Sequence, residues 1–419
     1  MTGIRTSGVY RYEDKFGKED KSAPILLFGE ISSSNFTSKN NYQNLTSIGT
    51  KFRTSEVEGK FGGTFTINTI LNYATLEMLR MMFEEYKCED LGTGMYRHTY
   101  TKVNGKRPPS FTYIEKTLNR MTGGDEVEDI TCAYLGCVAH TMNFTQDSSG
   151  ATVGVTISGN YAWQRDDYGD LDETDWRPYD SDPVLWNCME IDGEKIANVE
   201  TFGFGAQNSA QMIYSTCSRK ASNYYEQGVT FTANATVYSD NPSVFRKRVY
   251  SGGDTNDETE PRIKGLKPIN VMKFVSDGVN GTKCTATLEH VTVDGMPRNI
   301  KTNTKLIDAP TLSPRNLTLE FECMRGRLFP VAPVITSDVL SLGPAVDPYG
   351  LYVFTLTADT FGETATWELV DGTLPSGATF GSNGNISGMN VAYSGTYEIT
   401  VKVTTAGGSD TKTVTLSFD

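Results

Sequence analysis

The chain repeats itself at long range. Gly62-Gly63-Thr64-Phe65-Thr66-Ile67-Asn68 returns as Gly228-Val229-Thr230-Phe231-Thr232-Ala233-Asn234. At the same spacing, without a gap, Phe36 meets Phe202, Thr50 meets Thr216, Arg53 meets Arg219 and Arg80 meets Arg246. A period of this size is far longer than a solenoid unit and matches a whole domain, so it predicts two fused copies of one fold. Near the end of each copy Leu317, Leu319 and Phe321 alternate as Val153, Val155 and Ile157 do, at a spacing only two positions shorter. So small a drift extends the duplication over the whole unit.

Local pattern makes the copies mainly β. Phe61 to Leu71 alternates, with Phe65, Ile67 and Thr69 on one face, and Thr230 to Val237 repeats the signal. Ile25 to Ile31, Ser110 to Leu118 and Thr131 to Cys137 read as strands. Val138 to Thr145 and Ala151 to Gly159 read as a hairpin around Asp147-Ser148-Ser149-Gly150. Thr75 to Tyr86 switches to helical spacing: Leu76, Leu79, Met82 and Phe83 share a face, and Thr75 is placed to cap. In the second copy Asn241-Pro242-Ser243-Val244-Phe245-Arg246 takes the place of that helix. Ser32 to Gly59 is polar with scattered apolar anchors, Phe36, Tyr42, Leu45, Ile48 and Phe52. A segment this long with so little core pattern orders against something. It and Phe204 to Gln227 are the expected contact loops.

Two composition breaks divide the chain. Gln164 to Asp182 holds eight acids against Arg165 and Arg177. Its spacing fails as a calcium loop: counted from Asp170, the sixth and twelfth places hold Asp175 and Ser181 rather than Gly and Glu. It reads as a solvated connector. Ser251 to Pro261 is a long polar loop. From Val331 onward Cys and Arg vanish, and short strands with Gly-rich turns fit a β-sandwich. The expected division is 1–165, first fold; 166–183, acidic linker; 184–330, second fold; 331–419, sandwich.

Catalytic and cofactor chemistry finds no signature. His98, His140 and His290 stand apart, and no nucleophile elbow, zinc-protease helix or phosphate loop is present. Cys132 and Cys137 are the only close pair of seven cysteines, a poor zinc spacing, so buried reduced thiols are expected. We expect no enzyme, no catalytic residue, no metal and no cofactor. The net charge of -13 disfavours holding nucleic acid by phosphate neutralisation and suits a surface along which DNA slides. The densest basic cluster, Arg246-Lys247-Arg248, reads as an ion-pair patch at the surface or between subunits. No apolar run is long enough for a signal peptide or a membrane span, so folding in a cytoplasm without membrane contact is expected.

Two resemblances follow. Leu374-Pro375-Ser376-Gly377-Ala378-Thr379-Phe380, Gly384-Asn385-Ile386-Ser387-Gly388 and Gly395-Thr396-Tyr397-Glu398-Ile399-Thr400-Val401 resemble a bacterial and phage immunoglobulin-like family related to cadherins. There the first is a turn into a strand, the second a tight hairpin, and the third opens a core strand. The span 1–330 resembles the major tail tube proteins of long-tailed bacteriophages. The pattern is carried by Leu135-Gly136-Cys137-Val138, Met142-Asn143-Phe144, Thr152 to Gly159, and Met189 to Phe202.

This second resemblance implies two tandem β-sandwich or half-barrel folds, each with a flanking helix, whose sheets join into rings that long loops stack. It implies a virion tail protein assembled in the host cytoplasm. Rings would hold three chains, or six, meet other tail proteins and pass DNA without specific binding. The alternatives are a tail-tip or adaptor ring and a carbohydrate-binding surface module. Phe36, Tyr42, Leu45, Ile48 and Phe52 are the candidate stacking residues.

Overall fold

The computed structural model describes residues 5–21, 23–29, 31–39, 43–45, 55–57, 59–92, 94–103, 106–118, 130–146, 152–166, 168, 184, 188–196, 199–238, 269–277, 281–295, 298–301, 305–326, 328–329, 334–337, 339–341, 351–360, 365–390, 395–405 and 408–418. Two compact units result, Met1–Gly326 and Arg327–Asp419.

The first unit opens with β1 (Arg5–Tyr12), β2 (Leu26–Leu27), β3 (Ile31–Lys39), β4 (Gln43–Leu45), β5 (Ser55–Val57) and β6 (Gly62–Ile70). After a 3₁₀ turn at Leu76–Met81 come β7 (Glu85–Gly92), β8 (Met95–Thr101), β9 (Phe111–Leu118), β10 (Ile130–Gln146), β11 (Gly154–Tyr161) and β12 (Trp163–Asp166). The second half supplies β13 (Cys188–Ile191), β14 (Glu194–Ile196), β15 (Val199–Asn208), β16 (Gln211–Tyr214), β17 (Ala221–Tyr225) and β18 (Val229–Tyr238). It ends with β19 (Ile269–Asp277), β20 (Lys283–Gly295), β21 (Arg298–Lys301), β22 (Lys305–Asp308), β23 (Thr311–Ser313) and β24 (Asn316–Cys323).

Pairing reveals the duplication. In the first half β10 is long enough to serve two sheets. Its start pairs with β9 and with β12, and its end, from Val138, pairs with β11. In the second half β20 does the same, pairing with β19 and β24 first and with β23 from Thr292. The change of sheet falls at a left-handed residue in both: Gly136 at φ 65° and His290 at φ 49°. The outer sheets then read β2-β1-β9-β10-β12 and β14-β13-β19-β20-β24. The β7–β8 hairpin joins the second of them through β8 and β24. A single inner sheet runs β3-β6-β11-β10-β15-β18, then β22 with β23, then β20 with β21.

The core lies between inner and outer sheets and runs through both halves. Phe65 meets Phe111 edge-on at 5.7 Å. Phe144 stacks on Phe204 at 4.9 Å, and Phe202 and Phe204 both stack on Phe274. Room for these rings comes from glycine across the strand pair. Phe65 lies opposite Gly159 and Tyr161 opposite Gly63, and a Cβ on either glycine would fall within 2.5 Å of the ring.

Several expectations change. The helix expected over Thr75 to Tyr86 is a six-residue 3₁₀ turn, and Thr75 makes no cap; its hydroxyl donates to Asn72 instead. The next residues are claimed by the β7–β8 hairpin, whose pairing begins at Glu85. The counterpart at 241–246 lies outside the described residues, as do the Asp147 to Gly150 turn, most of the acidic tract and the Ser251 to Pro261 loop. The spacing of the copies also departs from the sequence match. A bulge at Ile31/Ser33 recurs at Val199/Thr201, slightly beyond that match, and one at Ala139/Thr141 recurs at Val293/Gly295, well short of it. Only three of the seven thiols, Cys137, Cys284 and Cys323, are fully buried, and Cys217 is exposed.

The second unit is an all-β sandwich formed by β25 (Val334–Ile335), β26 (Val339–Ser341), β27 (Leu351–Thr355), β28 (Ala358–Asp359), β29 (Thr366–Gly372), β30 (Thr379–Phe380), β31 (Asn385–Asn390), β32 (Gly395–Thr405) and β33 (Gly408–Phe418). Its larger sheet is β26-β33-β32-β29, with β27-β31-β30 as the other. Trp367, Ile386, Ile399, Val401, Val403, Val414 and Leu416 fill its core. The three motifs do what the resemblance implies: Pro375 O and Ala378 N close a turn before β30, β30 and β31 form the hairpin, and β32 carries the buried Ile399 and Val401.

Candidate assembly interface

The inner sheet contains a junction between the halves and leaves the matching edges bare. β10 and β15 run antiparallel from Thr141↔Gln207 to Gln146↔Phe202. β10 ends the first half's share of the sheet and β15 begins the second's. Their counterparts are β20 with β21, ending the second half, and β3, beginning the first. Among the described residues β3 pairs only with β6, and β21 only with β22. Unpaired main-chain groups along such an edge are a template for another strand.

The inner sheet's outer-facing side is polar without charge. From β6 to β18 it presents Thr64, Thr66 and Asn68, then Thr156, Ser158 and Asn160, then Thr141, Asn143 and Thr145. Gly203, Gly205 and Gln207 follow, then Thr230, Thr232 and Asn234. Hydroxyls and amides satisfy each other across strands: Thr156 Oγ1 donates to Asn68 Oδ1 at 2.7 Å, and Asn68 Nδ2 to Ser33 Oγ at 2.8 Å. The acidic balance of the chain is thus not expressed on this face.

The five candidate contact residues divide. Phe36 is on β3, not in a loop, and faces the core. Its ring stacks on Tyr134 at 4.0 Å, Tyr113 at 4.6 Å and Phe65 at 5.5 Å. Leu45 ends β4, which pairs with β5 as a two-stranded hairpin. Tyr42, Ile48 and Phe52 lie outside the described residues. The second expected loop, Phe204 to Gln227, likewise begins as strand β15 and continues as the β16–β17 hairpin. The hairpins match at the spacing of the first bulge, Gln43↔Val57 answering Gln211↔Tyr225.

The second hairpin is moored to the first half. Arg107 donates to Asn223 Oδ1 at 3.1 Å and to Tyr224 O at 2.8 Å, and its guanidinium covers the Tyr224 ring. Tyr224 donates to Pro108 O, and burial pushes its phenol up to about 12. At the base, Lys102 Nζ bonds Glu84 and lies 3.4 Å from Glu226. Burial raises the Glu226 carboxyl, and the Lys102 ammonium opposes it. Ile213 and Tyr225 remain exposed on this hairpin, at 39% each, large apolar surface held out on a fixed arm.

The family model that matches this chain lies within the second unit. Residues 332–419 match the family described as "Putative Ig domain". No curated protein matches the chain. A chain described as a putative alpha-galactosidase/melibiase from Bacteroides fragilis is 24% identical over 22% of this chain and 18% of its own, with a TM-score of 0.18. This chain therefore spans under a fifth of that one. Protocadherin gamma B2 extracellular cadherin domains 3–6 are 11% identical over 78% of this chain and 84% of theirs, TM-score 0.18. Protocadherin gammaB7 EC3-6 is 12% identical over 78% and 83%, TM-score 0.17.

Proposed function

We propose that the first unit is a self-assembling ring subunit, and that stacked rings form the tail tube of a long-tailed bacteriophage through which DNA is ejected. One observation carries this reading: the junction inside the chain, β10 on β15, has a matching pair of open edges, β21 and β3, at the two ends of the same sheet. Moving the internal register by the spacings of the two bulges sets Gly295 opposite Lys39 and Ile300 opposite Ser34 of the next chain. Such a head-to-tail contact is heterologous and closes into a ring. With two equivalent halves per chain, three chains make a ring of six.

The sheet's uncharged polar side supports the conduit. Phosphates bind where cations replace their counterions, and this side offers none from β6 to β18. Hydroxyls and amides that bond one another have little left to offer a passing strand. The role is structural rather than catalytic, in the virion tail, with other tail proteins as partners.

Electron microscopy of the purified full chain tests this. Stacked tubes with threefold-related chains are expected. Single closed rings would replace the tube with a tail-tip or adaptor ring. Monomers at every concentration would sink the ring and leave a binding module built around the immunoglobulin-like domain.

A further inference from the structure

Inside the chain, aromatic rings close the junction between the halves. Phe144 of β10 lies opposite Phe204 of β15 and stacks on it at 4.9 Å. Phe204 and Phe202, which share a face of β15, stack in turn on Phe274 of β19 at 5.6 and 4.5 Å. These rings seal the inner sheet against the outer one.

The open edges hold the same places with different side chains. Phe144 stands eight positions past the bend at Gly136, and Arg298 stands eight past the bend at His290. One register runs from Gly295↔Thr311 to Arg298↔Asp308, so the equivalence carries through to β21. Phe274 pairs with Ala286, four positions before His290, and Glu115 pairs with Cys132, four before Gly136. The bulges at Ile31/Ser33 and Val199/Thr201 match Ser34 with Phe202 and Phe36 with Phe204. Phe144, Phe202 and Phe274 thus become Arg298, Ser34 and Glu115, and Phe36 stays aromatic.

Glu115 points to what completes this set. It is half-buried beside β3; burial raises its carboxyl, and the Ser34 hydrogen bond opposes this only in part. Among the described residues no cation is paired with it. A carboxylate withdrawn from water without a counter-charge is costly. The register of the ring contact sets Arg298 opposite Phe36 of the next chain, two positions along β3 from the Ser34 that bonds Glu115. We propose that ring closure lays the Arg298 guanidinium over Phe36 of the next chain and pairs it with Glu115 there. A charge pair then does between chains what an aromatic stack does within one.

The exchange of rings for charges has a physical use. Aromatic side chains at two open edges would join unassembled chains at random, whereas opposite charges keep each edge soluble and select the other. Asp308, opposite Arg298 in its own chain, makes a second carboxylate for a guanidinium whose five donors can serve both. The inference rests on the ring reading above and names the side chains that choose the partner.

Assembly of the full chain against concentration, followed by light scattering and electron microscopy, tests it. Glu115→Gln and Arg298→Gln are each expected to raise the concentration needed for rings at least about tenfold. The double variant is expected to assemble no worse than either single one, because each substitution removes the same contact. Dispersed Glu115→Gln is expected to melt no lower than the wild type at neutral pH, which separates a lost contact from a lost fold. Glu115→Gln assembling at the wild-type concentration overturns the pair and keeps the ring, as do losses that add in the double variant. A wild type that forms no rings at any concentration overturns the ring reading and the pair with it.

Discussion

Glu13 holds together the point where the first half changes sheet. Its carboxylate accepts from Ser110 Oγ at 2.7 Å, Thr112 Oγ1 at 2.8 Å, Gly136 N at 2.9 Å and Gly17 N at 2.8 Å, and the side chain is buried. Glu13→Ala strands the buried donors of Ser110, Thr112 and Gly136, so a loss of about 3 kcal/mol is expected from denaturant unfolding. A loss below about 1 kcal/mol would mean water replaces the carboxylate. Glu115 gives a pH signature. Burial raises its carboxyl, and the Ser34 hydrogen bond opposes this only in part. A raised acid keeps its proton longer in the folded state, so its contribution is full below the ordinary value near about 4 and is lost as pH rises through the raised one. Glu115→Gln is therefore expected to gain on the wild type as pH rises from about 4 through the raised value and to hold a constant gap above it. A gap that shrinks with rising pH would reverse the assignment. Neither role could be read from sequence, because a β fold chooses its polar partners from strands far along the chain: Ser110 stands just before β9 and Thr112 within it, Glu13 just past β1.

Elements show what alternation reveals and what it conceals. The sequence match sets Phe65 against Phe231, whereas the structural equivalence that carries Ser33 to Thr201 sets it against Ala233. The slip is an even number of positions, which keeps every side chain of β6 and β18 on its face. The strand signal therefore survived the wrong register. The match of Val153, Val155 and Ile157 with Leu317, Leu319 and Phe321 is a different error. It set β11, an inner strand, against β24, an outer one, since any half-buried strand alternates. Phe36 looked like a loop anchor because Ser and Asn surround it; only the stack on Tyr134 and Tyr113 makes it core. The sheet-changing bend is a sharper marker. Gly136 is left-handed, and a Cβ there would lie 2.8 Å from Ala162 Cβ and 3.1 Å from the Phe16 ring. Gly136→Ala is expected to cost about 2 kcal/mol. His290 already bears the strained conformation, so His290→Gly should change stability by less than about 1 kcal/mol, relief being offset by unfolded-chain entropy. Equal effects at both sites in denaturant melts would show that the bend is not the shared constraint.

At the scale of the whole molecule the duplication was legible but its consequence was not. Two copies in sequence suggested two domains, whereas the halves share one inner sheet and one core and form a single compact unit. The composition change at Val331 falls near the division between the two compact units, and the second of them has its own Trp367-centred core. That difference yields opposite expectations for two excisions. Cutting between the halves separates Phe144 from Phe204 and should give insoluble pieces. Ending the chain at Gly326 removes no strand of the inner sheet and no edge proposed to close the ring. The shortened chain should melt within a few degrees of the full one and build tubes of the same symmetry, seen by calorimetry and electron microscopy. If it folds but remains monomeric, the immunoglobulin-like unit supplies the assembly contact, and the open edges of β3 and β21 are protected in some other way.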